Sequence, residues 1–316
     1  GGVADRMSGR LLDGRELASH LRRELAHRLE KLVDPEREAG RPQLAILRDG
    51  RSEAAAVYAA SLERAARSVG AGTRLVDAVE AGTERGLEAT VADLNAEAGV
   101  AGIVVAQPFG DVAAGRRLVE LVDPAKDVDG ATPTNAGRLA RGEPAFVPAT
   151  ALAVIAILEA YGVEVAGKRA VIVGRSAVVG RPVASLLVAR DATVVICHRA
   201  TRNLARETRR AEILVAAAGS PGLIRPEMVN RSAVIVDCGI NAVPGGIAGD
   251  VAFDAVAPVV RAITPVPGGV GPVTPMMVLR QTIEAAERAR NAQPSEASIS
   301  SSGTDPSMNP SRSIVS

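Results

Sequence analysis

Cysteine is nearly absent from this chain: two residues, Cys197 and Cys238, among 316. A secreted scaffold stapled by disulfides is thereby excluded, and both thiols, at the ends of strand-like runs, read as buried cysteines of a cytoplasmic protein. Histidine is equally sparse. Of the three, His20 and His27 lie seven apart on one helical segment and read as solvated or interfacial, and none has a partner at metal-ligand spacing, so no metal is expected. There is no excess of charge, with 37 basic against 36 acidic residues, which removes the electrostatic case for a nucleic-acid or acidic-membrane partner. Nor is there a long hydrophobic run. The longest, residues 151–158, stops at Glu159, far short of the roughly 18 residues of a membrane span. Residues 1–6 lack the apolar core of a signal peptide. Only three lysines occur, at 31, 126 and 168; the other basic residues are arginine, a bias of composition rather than of mechanism.

What is present is an alternation of strand and helix periods, at a length that suits two domains with their own cores. Asp13 caps a helix carrying Leu17, Leu21, Leu25 and Leu29, with Glu16 placed for a capping box. Strands are expected at 43–47, 73–78, 102–105, 193–197, 213–216 and 233–237. Helices are expected at 52–69, 83–98, 112–121, 134–141, 149–161 and 274–289. From about residue 291 the chain is rich in Ser, Pro and Asn and reads as a disordered tail. The fold class is α/β, with two parallel-sheet domains joined near residues 145–150.

The segment Lys168-Arg-Ala-Val-Ile-Val-Gly174-Arg-Ser-Ala-Val-Val-Gly180-Arg-Pro carries the most chemistry. A β-rich run ends in glycine and a second glycine precedes a helix, the arrangement that aims free backbone N–H groups at a phosphate. The spacing departs from G-x-G-x-x-G. The next strand ends at His198-Arg199, where an NAD enzyme usually carries a carboxylate. Arginine there suits a 2′-phosphate, Arg175 supplies a second positive group, and Ser176 can cap the helix, bind phosphate or do both, so the cofactor reading is NADP(H). A second element, Ile263-Thr-Pro-Val-Pro-Gly-Gly-Val-Gly-Pro272, is a rigid loop poor in side chains that a planar ligand can approach closely. A third is Lys126-Asp-Val-Asp-Gly130, after a helix break at Asp123-Pro124.

With Asn135-Ala-Gly-Arg-Leu139, Asp237-Cys-Gly-Ile-Asn241 and Gly249-Asp-Val251, these elements resemble the bifunctional methylenetetrahydrofolate dehydrogenase/cyclohydrolase family over residues 9–290. The resemblance implies a folate-type catalytic domain at 1–147, a Rossmann-type NADP domain at 148–273, a cleft between them, a final helix 274–290 packing back on the first domain, and a homodimer. It also implies cofactor contacts at Gly174, Arg175, Ser176, Val179, Gly180, His198, Arg199, Ala218, Gly219, Ile240, Pro267, Gly268, Gly269, Gly271 and Thr274.

The family's catalytic positions carry over unevenly. The S-x-x-Y-V-x-x-K helix reads Ala55-Ala-Val-Tyr58-Ala-Ala-Ser-Leu62. Tyr58 matches the tyrosine that packs against the folate, and Leu62 stands where the family has its proton-transferring lysine. Arg64 is no substitute, since it lies two residues away on the helix and holds its proton too tightly. The Q-L-P-L-P loop, whose glutamine bonds that lysine in the family, is Ala106-Gln-Pro-Phe-Gly110. Gln107 stands one position along as the candidate catalytic glutamine, and Phe109 lies in the substrate loop. P-C-T-P appears as Pro148-Ala-Thr-Ala151, and Asp129 matches the aspartate that holds the pterin ring. Phe146 reads as core.

Three functions follow from this pattern. The chain is a folate dehydrogenase that has lost hydrolysis of the methenyl bridge, or an NADPH-dependent reductase of a C=N bond in another small molecule, or a catalytically silent homologue.

Overall fold

Two parallel sheets organise the chain, whose computed structural model describes residues 9–32, 41–78 and 84–292. In the first, β2 (Gln43–Arg48) lies between β3 (Gly72–Asp77) and β4 (Val100–Val105), all parallel. Leu44, Ala45, Ile46 and Leu47 are fully buried, the unbroken apolar run expected of a central parallel strand covered on both faces. Helix α1 (Gly14–Leu32) buries Leu21, Leu25 and Leu29, one stripe at a spacing of four. Helix α2 (Glu53–Val69) opens on Ser52, whose hydroxyl accepts from the Ala55 N–H at 3.2 Å, and closes on Gly70 at φ 84°. Helices α3 (Glu84–Ala96), α4 (Val112–Leu121) and α5 (Pro133–Ala140) follow.

The second sheet starts after α6 (Ala149–Ala160). Its strands are β5 (Arg169–Val173), β6 (Thr193–Cys197), β7 (Ile213–Ala216), β8 (Val234–Asp237) and β11 (Ala262–Ile263), with β1 (Arg10–Leu11) at one edge. Their order is β1-β11-β8-β7-β5-β6, and every pairing is parallel. Helices α7 (Gly180–Val188), α8 (Leu204–Thr208) and α9 (Phe253–Val256), and an antiparallel hairpin of β9 (Asn241–Val243) and β10 (Gly246–Ala248), fill the connections. From β5 the chain builds outward to β6 and then returns past β5 to β7. The switch in direction opens a crevice between the loops after β5 and β7.

The first strand and last helix of the described residues are exchanged between these sheets. Strand β1 pairs with β11, Arg10 opposite Ala262. The last helix, α10 (Val270–Ala292), packs on α1, α2 and α6. Gln281 makes that packing specific. It is 3% exposed; its Nε2 donates to the Val128 and Val147 carbonyls at 2.7 and 2.9 Å, and its Oε1 accepts from Val147 N at 2.8 Å. One apolar core therefore runs from Leu25 and Leu62 through Ala106 and Val154 to Ile172 and Met277.

Several boundaries differ from expectation. Helix α10 starts at Val270, four residues earlier than the sequence suggests, because Pro272 falls in the first turn, where an N–H has no helical partner to lose. Helix α3 ends at Ala96 and β4 begins at Val100. Ser52 caps α2 from outside it. Strands β1, β9, β10 and β11 were not anticipated, being two or three residues long and too short to show a period. Cys197 is buried, and Cys238, just beyond β8, is only partly so. Position 83 of the expected third helix and the tail from 293 onward lie outside the described residues. Among the described residues no helix is long and apolar enough to cross a membrane, and no cluster of His, Cys, Asp and Glu has the arrangement of a metal site.

Candidate active site

The expected cofactor residues gather at one end of the six-stranded sheet, on loops leaving the carboxyl ends of β5, β6, β7, β8 and β11. Gly174 follows β5 at φ 134°, and its N–H donates to the Cys197 carbonyl at 2.8 Å. A Cβ on Gly174 would overlap the Ala217 carbonyl across the crevice, and one on Gly180 would overlap the Gly174 carbonyl. The loop is thus folded back on itself as tightly as main chain allows, with α7 beginning at Gly180 and Val179 preceding it. Ser176 Oγ accepts from Val179 N at 3.1 Å and Gly180 N at 3.4 Å, so this serine caps the turn. Arg175 and Arg199 are exposed. His198 Nδ1 accepts from Ala200 N at 3.2 Å, so in the neutral ring the proton sits on Nε2.

The remaining loops converge on the same edge. Ala218 and Gly219 follow β7, and Ile240 stands 72% exposed beyond β8. The glycine loop carries a cis Val266–Pro267 bond and Gly268 at φ 118°. It is pinned by the start of α1: Gly14 N donates to Gly268 O at 2.8 Å, and a Cβ on Gly14 would overlap the Gly269 carbonyl. Gly271 is exposed. The Thr274 hydroxyl is turned into its own helix, donating to Val270 O at 3.2 Å. A glycine cradle, a helix N-terminus and two outward arginines together fit a dinucleotide with an extra phosphate.

On the other side, Tyr58 on α2 meets Asp129, the hydroxyl lying 3.5 Å from Asp129 Oδ1. Asp129 keeps some exposed surface, yet the packing around its carboxyl, aided by the charge of Asp127, pushes its pKa up to about 7. Burial, with Asp129 beside it, raises Tyr58 well above a free phenol. Near neutrality the Tyr58 phenol therefore keeps its proton, while the Asp129 carboxyl lies close to its midpoint, shared between its two forms. Leu62, one turn after Tyr58, is 0% exposed within the core, Ala106 is 0% and Ala149 is 2%. None of the three lysines approaches this position. Lys126 Nζ donates to the Leu94 and Glu97 carbonyls, Lys168 faces Glu212 and Glu164, and Lys31 ends α1.

Gln107 does not join Tyr58 and Asp129 through any hydrogen bond among the described residues. Its Oε1 accepts from Phe109 N at 3.0 Å, shaping its own loop. That loop instead borders an open hollow of about 630 Å³ lined by Asp49, Arg51, Ser52, Pro108, Phe109, Gly110 and Asp111. The fully buried Asp49 carboxylate organises its floor, accepting from Arg51 Nε and the terminal guanidinium nitrogen at 2.9 and 2.8 Å, and from Gly110 N at 2.9 Å. Arg51 holds the Asp49 carboxyl well below the usual carboxylate range.

Sequence reasoning missed three carboxylates with single-residue roles. Asp127 is 3% exposed and accepts from Ala131 N, Thr132 N and Asn135 Nδ2, all within 2.9 Å. Asp237 and Asp250 play comparable parts below the cofactor edge. Their motifs were visible, but Asp250 collects N–H groups 30 to 32 positions away, and Asp127 draws its donors from four to eight positions on, in a turn without a sequence period.

Residues 12–129 match the tetrahydrofolate dehydrogenase/cyclohydrolase catalytic domain, and residues 148–290 match the NAD(P)-binding domain of the same family. A bifunctional protein FolD from Chloroflexus aggregans is 45% identical over 280 residues, covering 88% of this chain and 98% of the relative. Among solved structures, the FolD methylenetetrahydrofolate dehydrogenase/cyclohydrolase of Campylobacter jejuni superposes with a TM-score of 0.83 at 37% identity, covering 88% of this chain and 98% of its own. The Trypanosoma brucei enzyme, complexed with NADP and an inhibitor, gives 0.83 at 36% identity, covering 90% and 99%.

Proposed function

Because the chain belongs to the tetrahydrofolate dehydrogenase/cyclohydrolase family, we propose that it is an NADP-dependent oxidoreductase that oxidises 5,10-methylenetetrahydrofolate to the 5,10-methenyl form and no longer hydrolyses the product. The observation that supports this reading is Leu62, wholly buried in hydrocarbon, at the position to which the resemblance to the family's S-x-x-Y-V-x-x-K pattern assigns the lysine. A leucine neither donates nor accepts a proton, so the hydrolytic half of the family's chemistry lacks its acid–base group.

The dehydrogenase half needs less. The reacting carbon lies between two nitrogens whose lone pairs stabilise the cation left when hydride departs, so the task is mainly positioning. NADP⁺, when bound, supplies the hydride acceptor. Gly174, Gly180 and the N-terminus of α7 would hold its phosphates, with Arg175 and Arg199 on the 2′-phosphate. Val179, His198, Ala218, Gly219, Ile240, Pro267, Gly268, Gly269, Gly271 and Thr274 would complete the cofactor face. Tyr58 would lie against the pterin and aminobenzoyl rings, and Asp129 would bind the pterin edge. Gln107 would border the substrate loop without a step of its own.

Purified protein given NADP⁺ and methylenetetrahydrofolate should form NADPH while methenyltetrahydrofolate accumulates instead of being hydrolysed. Absence of NADPH would overturn the dehydrogenase assignment, and rapid loss of added methenyltetrahydrofolate would overturn the loss of hydrolysis. A second reading, reduction by NADPH of an imine or iminium in a non-folate molecule, is favoured by one observation. Leu62, Ala106 and Ala149 are all apolar and buried, the pattern of a pocket refitted for a less polar substrate. Tight NADPH binding together with no folate binding would select it. A soluble cytoplasmic homodimer is the accompanying expectation, checked by light scattering and fractionation.

A further inference from the structure

The loop after β7 has an unusual combination of exposure and constraint. Ala218 and Gly219 are solvent-exposed, yet their N–H groups point inward to one carboxylate. Asp250 Oδ2 accepts from Ala218 N at 2.5 Å and Gly219 N at 3.0 Å. Its Oδ1 accepts from Ser220 N at 2.8 Å and Asn241 Nδ2 at 2.9 Å. Asp250 is 0% exposed. Three successive N–H groups aimed at one anion make a nest of the kind that otherwise binds phosphate, here filled from within.

Asp250 is in turn held by a second carboxylate. Asp237 Oδ1 accepts from Asp250 N at 3.0 Å and Gly239 N at 2.9 Å, and Oδ2 accepts from Val251 N at 2.9 Å. Asp237 N donates to Thr264 Oγ1 at 2.8 Å, reaching the strand that leads into the glycine loop. No Cβ fits beside either carboxylate: one on Gly249 would overlap Asp237 Oδ2, and one on Gly239 would overlap Asp250 N. The relay thus links the ends of β7, β8 and β11, and the β7 loop itself abuts Gly174 through the Ala217 carbonyl.

We infer that Asp250, backed by Asp237, is a positioning residue for the dinucleotide: it fixes the Ala218–Ser220 backbone in the shape that forms the crevice wall opposite Gly174. This rests on the assignment of that edge to NADP(H). Four hydrogen bonds to one buried charge set the loop before ligand arrives, which lowers the ordering cost of binding.

Asp127 provides the control, since it is equally buried and also collects two N–H groups and an asparagine amide, but beneath the other sheet's site. NADPH affinity is measured by fluorescence titration for the full chain, Asp250→Asn and Asp127→Asn, together with amide hydrogen exchange and melting temperature. Asp250→Asn is expected to weaken NADPH about tenfold or more and to remove exchange protection at Ala218–Ser220, leaving the KM for the second substrate unchanged. Asp127→Asn is expected to lower the melting temperature while NADPH affinity stays at the wild-type value. Unaltered NADPH affinity in Asp250→Asn overturns the inference. So does equal weakening in Asp127→Asn, which would make the effect one of general stability. Failure of the wild-type chain to bind NADPH would instead defeat the cofactor reading, and protection at Ala218 and Gly219 would still report whether the latch exists.

Discussion

The cofactor edge and the Tyr58–Asp129 side of the molecule are made of different materials. At the edge the shape is main chain: Gly174 against the Ala217 carbonyl, Gly180 against the Gly174 carbonyl, Gly14 against Gly269. On the other side the chemistry sits at the tips of single side chains, Tyr58 and Asp129, and at whatever occupies position 62. A backbone site tolerates little change, because an added atom meets groups that cannot swing away. A side-chain site changes its chemistry with one substitution while the helix bearing it stays folded. On the proposed reading, that asymmetry lets a chain keep one half of its family's site while Leu62, Ala106 and Ala149, all buried, alter the other.

The largest effect should come from breaking the main-chain half. Gly180→Ala places a methyl group on the Gly174 carbonyl, and neither partner can move without opening the β5–α7 turn. NADPH binding should weaken about a thousandfold, or some 4 kcal/mol, with folate affinity little changed. Near-wild-type affinity by titration would mean that the cradle is softer than its geometry.

Leu62→Lys tests the side-chain half. The ammonium would enter a site with 0% exposure, so the single substitution should cost about 3 kcal/mol at neutral pH, read by denaturant melts. Hydrolysis of methenyltetrahydrofolate should appear only when Ala106→Gln is added, since the lysine then gains the partner that the family provides. Full hydrolase activity in the single variant would show that Leu62 alone accounts for the loss.

The same contrast governs what was readable in sequence. The β5–Gly174–α7 unit is local, and its glycines, Arg175 and Arg199 declare themselves within 25 positions of one another. The Leu21, Leu25 and Leu29 stripe and the Ser52 cap are equally local and appear as expected. Long-range features left no such trace. Strand β1 is two residues long and finds its partner at the far end of the chain. Gln281 acts through carbonyls at Val128 and Val147, and Asp250 through N–H groups at Ala218 to Ser220. Gln107 shows the converse: its type and place suggested a catalytic partner, while its carboxamide serves the turn at Phe109.

Arg199→Ala sharpens the comparison by probing a side chain within the main-chain half. An exposed guanidinium that meets only the 2′-phosphate contributes to NADPH and not to NADH, so NADPH should weaken about tenfold while NADH is unchanged. Parallel titrations of the two cofactors check this, and equal weakening would remove Arg199 from the 2′-phosphate.

The smallest effect is a matter of pH. Asp129 titrates at about 7 in the folded chain against an ordinary value of 3.8, chiefly because burial disfavours its charge. The folded state therefore holds a proton that the unfolded state releases, and the stability linked to it is complete below pH 4 and lost as pH rises through 7. An asparagine side chain has no such proton to lose, so the Asp129→Asn variant should match wild type near pH 4. Its advantage should grow toward neutrality and level off above about pH 7, at roughly 1–2 kcal/mol or about 3 °C in melting temperature after allowance for screening at a partly exposed carboxyl. Melting curves of both proteins across that range decide it. A difference independent of pH would place Asp129 among ordinary solvated carboxylates, and the side-chain half would then hold no proton of its own near neutrality beyond the phenol of Tyr58.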